Sequence, residues 1–270
     1  MNLGILGANG RMGQYLIEAT QTSDKASLTA AAVRQSSQAL GLDAGDVARI
    51  GTIGVVCETL ESIDASGVDV LIDFTLPEAL EDNLAWCVEN KKAIVIGTTG
   101  LSKNQFDLMT KAAESIPVFW AANYSLGVNV MLSLVQQAAK AMGDMADIDI
   151  IEAHHRHKLD SPSGTAIAIG EAIAQATDRN LDECAIYGHQ TTHESRKKED
   201  IGFAVVRGGD IVGEHTALFA CDGERLEVTH KASTRMTFAT GAVNAAIWLG
   251  SQDSGYYGMS DLVGSLLKSD

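Results

Sequence analysis

Short apolar runs alternate with segments of helical periodicity through the first half of the chain. Leu3–Leu6, Leu28–Val33, Val68–Phe74, Ala93–Ile96 and Val118–Ala121 read as strands. Arg11–Thr20, Pro77–Glu89 and Ser102–Ser115 read as helices between them. Strands that are apolar throughout and joined by helices predict a parallel sheet covered on both faces. Thr75 stands where it would cap the second of these helices, and Ser102 with Gln105 has the spacing of a capping box.

Beyond residue 125 the pattern changes. Leu126–Met142 is helical, with Met131, Val135, Ala138 and Met142 on one face. A strand over Asp147–Ala153 leads through a polar stretch into an Ala/Ile-rich helix, Thr165–Ala176. Leu181–Asp200 is polar and reads as a loop, with Arg196-Lys197-Lys198-Glu199 as a solvated charge run and His189 and His193 facing solvent. Phe203–Arg207, Gly213–Ala220 and Arg225–Lys231 read as strands, the last two joined by the hairpin signal Asp222-Gly223. His215 and His230 fall inside these strands and read as packing histidines. Arg235–Leu249 is a helix that is apolar almost all round. With no strands expected after it, its burial requires a return to the first domain. The expected fold is a Rossmann-type α/β domain with a parallel sheet, 1–125 and 235–270, plus a second α+β domain with a mixed or antiparallel sheet, 126–234.

Composition narrows the function. Apolar residues make up 46% of the 270, enough for a sizeable core. Lys and Arg number 20 against 35 Asp and Glu, a formal charge of −15, which argues against nucleic acid or an anionic membrane as partner. No apolar run is long enough to span a bilayer, and the N-terminus lacks the basic and apolar regions of a secretory signal. Cys57, Cys87, Cys184 and Cys221 are widely spaced, as expected of reduced thiols in a cytoplasmic protein. A small-molecule ligand is therefore expected, and an anionic one would need a local basic cluster.

Two segments carry chemistry. Gly7-Ala8-Asn9-Gly10-Arg11-Met12-Gly13 joins the first strand to the first helix. Glycines at such a turn let backbone approach a pyrophosphate at the helix N-terminus, so this is a candidate dinucleotide loop. Gly97-Thr98-Thr99 and Ala121-Ala122-Asn123-Tyr124 follow later strands, where an open parallel sheet places its ligand. The second segment runs from Glu152 to Thr165. Its five residues His154, His155, Arg156, His157 and Lys158 can all carry positive charge. If the strand continues through His154 and His155, their side chains point to opposite faces and have different tasks. Ser163-Gly164-Thr165 opens a helix, where N–H groups and hydroxyls can hold a carboxylate or phosphate with Lys158 close by. No cysteine or acidic partner stands at metal-ligand spacing beside the histidines.

The segment Glu152–Thr165 (EAHHRHKLDSPSGT) resembles the highly specific signature of the 4-hydroxy-tetrahydrodipicolinate reductase family, also called dihydrodipicolinate reductases. The loop Gly7–Gly13 and the two later glycine and asparagine segments match that family too, and the resemblance runs end to end. It implies His154 as catalytic acid/base and Lys158 as a second proton donor. It implies a substrate site of His155, Gly164 and Thr165, with Ser163 and Thr99 nearby. It implies a cofactor site of Gly7, Ala8, Asn9, Gly10, Arg11, Met12, Arg34, Gly97, Thr98, Thr99, Ala121, Ala122, Asn123 and Tyr124. It further implies a small cyclic dicarboxylate as substrate and a homotetramer built through the second domain. Two positions depart from the pattern. Tyr124 stands where other members have Phe, and Val33 stands where many have an acid. An acid there accepts from the ribose of NAD and repels a 2′-phosphate. With Val33 followed by Arg34, the expected preference is for NADPH, with NADH still usable. The alternatives are another two-domain dehydrogenase of amino-acid metabolism, which gives no reason for the paired histidines, and a non-catalytic dinucleotide sensor, which needs no proton donors.

Overall fold

The structure, a computed structural model, describes residues 1–188 and 195–267. His189 and His193 lie outside the described residues. The chain divides into two compact units, Met1–Leu126 with Met236–Asp270, and Gly127–Arg235. In chain order the first unit contributes β1 (Asn2–Leu6), α1 (Arg11–Gln21), β2 (Ser27–Ala32), α2 (Ala44–Val47), β3 (Cys57–Glu58), β4 (Val70–Asp73), α3 (Leu80–Asn90), β5 (Ala93–Ile96), α4 (Lys103–Ala112) and β6 (Pro117–Trp120). Then come α5 (Leu126–Met142), β7 (Asp147–His154), α6 (Gly164–Ala176), α7 (Leu181–Cys184), β8 (Ala185–Tyr187), β9 (Ile201–Arg207), β10 (Gly213–Cys221) and β11 (Glu224–Ala232). The chain returns to the first unit with α8 (Met236–Leu249), β12 (Gly255–Tyr257) and α9 (Met259–Leu267).

The first unit is Rossmann-like: a seven-stranded sheet of order β12-β6-β5-β4-β1-β2-β3, parallel throughout. Its strands bury both faces. Leu3, Ile5, Val70, Ile72, Val95 and Phe119 join α1, α8 and α9 in one core. Their alternating neighbours Leu6, Leu71, Ile94, Ile96 and Val118 join α3 and α4 in another. Period-2 geometry sends successive side chains to opposite faces, so a strand packed on both must be apolar at every position. Helix α8 touches α1 on one side and β4, β5 and β6 on another, which accounts for its apolar circumference. The capping box at Ser102 and Gln105 forms.

The second unit holds a five-stranded mixed sheet of order β11-β10-β7-β9-β8. β10 is antiparallel to both neighbours, whereas β7, β9 and β8 run parallel. Helices α5 and α6 cover one face, and Ile148, Ile150, Ala217, Phe219, Ile201 and Phe203 meet them.

Several short elements differ from the expected pattern. Part of the polar run 181–200 is α7 and β8, held by the Asn180 side chain accepting from Asp182 N and by pairing of β8 with β9. β12 and α9 follow α8, where no strand was expected, and β3 and α2 also went unread. A two- or three-residue strand is too brief to show a period; pairing to its neighbour defines it. Arg196 is not solvated: it donates to Asp149, to Ile148 O and to Asp200 O.

Two glycine substitutions test the packing. A Cβ on Gly241 of α8 would sit 1.8 Å from Tyr124 O, which as backbone cannot yield, whereas a Cβ on Gly264 of α9 meets nothing within 4 Å. Gly241→Ala is expected to destabilise the first unit by about 1–3 kcal/mol. Gly264→Ala should be neutral or stabilising by up to about 1 kcal/mol through helix propensity. Urea midpoints for the two variants check the contrast.

Candidate active site

In the first unit β1 ends at a turn where Gly7 has φ +76°. Gly7 N and Ala8 N both donate to Ala32 O, at 3.0 Å each, and Gly10 N donates back to Gly7 O at 2.9 Å. A Cβ on Gly13 would lie 2.2 Å from Gly7 O, so only glycine lets α1 start against this turn. No side chain caps α1, which leaves its first-turn N–H groups for an anionic ligand. The sheet order reverses direction between β1 and β4, which makes the ends of these strands the crevice expected to take a dinucleotide. Asn9 Nδ2 donates to Ser37 Oγ at 3.0 Å, tying the glycine loop to the segment after β2 that carries exposed Arg34. Val33 is buried in the core, so its side chain does not face that segment's surface.

At the ends of β4 and β5, a Cβ on Gly97 would overlap the Phe74 ring at 2.2 Å, and Thr98 Oγ1 donates to Thr75 O at 3.4 Å. Thr75 caps no helix. A short 3₁₀ turn, Pro77–Ala79, precedes α3, and the Thr75 N–H and hydroxyl both donate to buried Asp73, which also accepts from Asn83. Burial pushes the Asp73 carboxyl up despite these donors. Phe74, Thr75 and Asp73 therefore belong to this edge, although the apolar run that contains them reads only as a strand. Thr99 and Ala122 are exposed and Asn123 half-buried, whereas the Tyr124 ring lies in the core with its hydroxyl donating to Ile96 O at 2.8 Å.

In the second unit the inward positions of β7 read Ile148, Ile150, Glu152, His154. The first two meet the helices; the last two are buried and polar. Register brings partners to them. Glu152 lies opposite His215 of β10, and His154 lies opposite Arg207 of β9. Four donors converge on the Glu152 carboxylate, which has no exposed surface. His154 Nδ1 and Arg207 Nη1 reach Oε2 at 2.6 and 2.7 Å, while Arg207 Nη2 and Ser163 N reach Oε1 at 2.7 and 3.0 Å. Ser163, the N-cap of α6, is buried, and its Oγ accepts from Ala166 N and meets His215 Nε2 at 2.9 Å. Gly213 lies against the His154 ring: a Cβ there would stand 3.0 Å from Nε2.

Strand β7 stops at His154, and the chain turns through His155 to Lys158, whose Nζ pairs with Asp160 at 2.8 Å on the rim. His155 Nδ1 accepts from His157 N, and Arg207 Nη2 also donates to Asp160 O. Gly164 is exposed at the start of α6 and Thr165 half-buried beside it. His154, His155, Lys158, Ser163, Gly164 and Thr165 thus lie along one continuous turn from β7 to α6, and Thr99 lies on the other unit. Glu152, Arg207 and His215 complete the cluster and were not read as site residues. Glu152 stands beside His154 as a hydrogen-bond partner, because residues two apart share a face of a strand. The inward alternation of β7 and β10 was the signal for Glu152 and His215, whereas Arg207, at the end of β9, is brought to them only by strand pairing.

The charges balance. Burial pushes Glu152 up, but the Arg207 and His154 hydrogen bonds outweigh it and hold the carboxyl below its usual range. Burial lowers His154 more than Glu152 raises it, with Lys158 and Arg207 adding to the lowering. The ring is therefore neutral near pH 7, donating from Nδ1 to the carboxylate and presenting an unprotonated Nε2. Burial and the neighbouring His154 push His215 down to about 4.

Two family models divide the chain between them: "Dihydrodipicolinate reductase, N-terminus" matches residues 1–124 and "Dihydrodipicolinate reductase, C-terminus" matches 127–263. A 4-hydroxy-tetrahydrodipicolinate reductase of Pseudoalteromonas atlantica is 56% identical over 262 residues, 97% of this chain and 98% of the relative. One of Pseudomonas fluorescens is 54% identical, with the same coverage. Among solved structures, a dipicolinate-bound dihydrodipicolinate reductase from Paenisporosarcina sp. TG-14 aligns with a TM-score of 0.78 at 25% identity, covering 97% of this chain and 99% of that one. A probable dehydrogenase from Thermotoga maritima shares the fold, with a TM-score of 0.63 at 11% identity and coverage of 99% and 94%.

The neutral burial of His215 has a pH signature. Its folded pKa of about 4 lies below the ordinary 6.5, so between these values the unfolded chain binds the extra proton. Stability is full above pH 6.5 and falls as pH drops toward 4, by on the order of 3 kcal/mol from this group. Urea midpoints measured across pH 4–7 should fall less steeply for His215→Gln than for the wild type.

Proposed function

The chain belongs to the dihydrodipicolinate reductase family, and we propose that its second unit binds and protonates the substrate while its first unit binds the reductant. The activity is NAD(P)H-dependent reduction of 4-hydroxy-tetrahydrodipicolinate to tetrahydrodipicolinate with loss of water, in lysine biosynthesis. The observation that carries the proposal is His154, oriented through Nδ1 by buried Glu152 and lying on the same turn as Lys158 and the start of α6.

When bound, the dinucleotide supplies the hydride. The residues Gly7–Met12, Gly97–Thr99 and Ala121–Tyr124 fit it, because the uncapped start of α1 offers N–H groups to a pyrophosphate and the glycines leave room for backbone to approach it. Lys158 and the N-terminus of α6, through Gly164 and Thr165, hold one carboxylate of the cyclic dicarboxylate, with His155 beside them. Lys158 exchanges its Asp160 partner for that carboxylate. A dianion next to His154 favours the charged ring, so Nε2 takes up a proton as substrate binds and returns it to the electron-rich atom of the reduced ring. Lys158 is the second donor. Its charge also steadies the electron-rich intermediate. A homotetramer and a cytoplasmic location complete the proposal.

His154→Ala and Lys158→Met should each lower kcat by on the order of 10²-fold or more, with dinucleotide Kd nearly unchanged. Near-normal turnover of His154→Ala across the pH range would remove the assignment. For the reductant, exposed Arg34 is the candidate contact with a 2′-phosphate, a fork-to-phosphate pairing worth about 1.5–3 kcal/mol. Arg34→Ala should shift the kcat/KM ratio about 10-fold or more toward NADH, measured with both cofactors. A wild type that prefers NADH would contradict the preference. Because Val33 is buried, an acid there would be placed in the core and makes a poor test.

A further inference from the structure

We propose that Glu152 and Arg207 act as a pair of positioning residues: Glu152 fixes His154 in its Nδ1–H form, and Arg207 keeps that carboxylate from drawing a second proton onto the ring. This rests on the reading of His154 as the proton carrier. Neither residue is offered as a contact to substrate or reductant.

The geometry makes Glu152 the hub of the turn. One oxygen accepts from the His154 ring and the other from Ser163 N, so a single carboxylate sets the distance between the ring and the start of α6. Its four bonds use all the acceptor positions of a carboxylate, and no water competes, because the side chain is fully buried. A carboxylate in that position has only one way to accept from Nδ1: the ring must carry its proton there. The neutral ring then carries a bare Nε2 on the side where Gly213 leaves room for it.

Arg207 answers the problem that this creates. A buried carboxylate alone beside an imidazole would favour the imidazolium, and a ring that stays charged has no lone pair with which to take up a proton. The guanidinium binds the carboxylate in fork geometry through Nη1 and Nη2 and balances its charge. The remaining groups around the ring are His215 on β10, Lys158 with its partner Asp160 on the turn, and His230, opposite His215 on β11. His215 is neutral, and Lys158 opposes protonation of His154. The lowered His154 pKa agrees with this arrangement.

The two residues therefore act on His154 with opposite sign, which a purely structural pair would not do. Histidine-labelled protein followed by NMR titration measures both the tautomer and the pKa of His154, with the signal assigned by comparison with His154→Gln. The wild type should show a neutral Nδ1–H ring. Glu152→Gln should lower the His154 pKa and release the tautomer, because an amide can donate to Nδ1 as well as accept. Arg207→Met should raise the pKa by about one unit or more, and Arg207→Lys, which keeps the charge, should move it less. The acidic limb of kcat/KM should shift with each variant, and kcat should fall about 10-fold or more while dinucleotide Kd holds. Shifts of one sign in both variants, or a wild-type ring protonated on Nε2 when neutral, would overturn the proposal. If Glu152→Gln does not fold, Arg207→Met against Arg207→Lys decides, since Arg207 is 19% exposed at the rim. The titration needs no turnover. An inactive wild type with the expected titration would count against the reaction assignment alone.

Discussion

A fully buried carboxylate has to be satisfied from within the protein, and the second unit is organised around doing so for Glu152. Leaving such a group with one partner missing costs several kcal/mol, more than most single contacts in a domain contribute. The sheet supplies three bonds from two strands, β7 and β9, and the cap of α6 supplies the fourth through Ser163 N. The requirement fixes more than stability. It sets which nitrogen of His154 faces the carboxylate and ties the start of α6 to the same group.

The first unit solves a different problem with backbone alone. Gly7, Gly10 and Gly13 let the turn after β1 fold against the start of α1, and the clash a Cβ would make on Gly13 leaves no alternative residue. The crevice at the strand ends is lined by loops that tie to one another through Thr98, Thr75 and Trp120 rather than through charged pairs. An acidic chain that binds anions has to concentrate attraction locally. In the function proposed above this falls to N–H groups in one unit and to Lys158 and a helix end in the other, against a net charge of −15.

Much of this was legible in the sequence because it depends on local pattern. Two-faced apolar strands, the glycine turn, the Ser102 cap and the hairpin at Asp222-Gly223 are all written within a few residues. The segment from His154 to Thr165 was likewise legible as one turn between a strand and a helix. What was hidden depends on pairing between strands distant in sequence. Arg207 lies 55 residues from Glu152, and His215 lies 52 from Ser163, so neither contact follows from spacing. The short β3, β8 and β12 exist only by virtue of their neighbours. Val33 looked like a position facing the reductant until its burial placed it in the core. In each case a register or a packing direction decided the role, and a one-residue change of register would have reversed it.

The central claim is that His154 waits as a neutral ring and takes its proton when a dianion arrives. Calorimetric titration of dipicolinate into the dinucleotide-loaded protein at pH 7.5, in buffers of different ionisation enthalpy, counts the protons taken up on binding. The account predicts uptake of a substantial fraction of one proton in the wild type, abolished in His154→Gln. Binding without proton uptake in the wild type, or equal uptake in the variant, would contradict it.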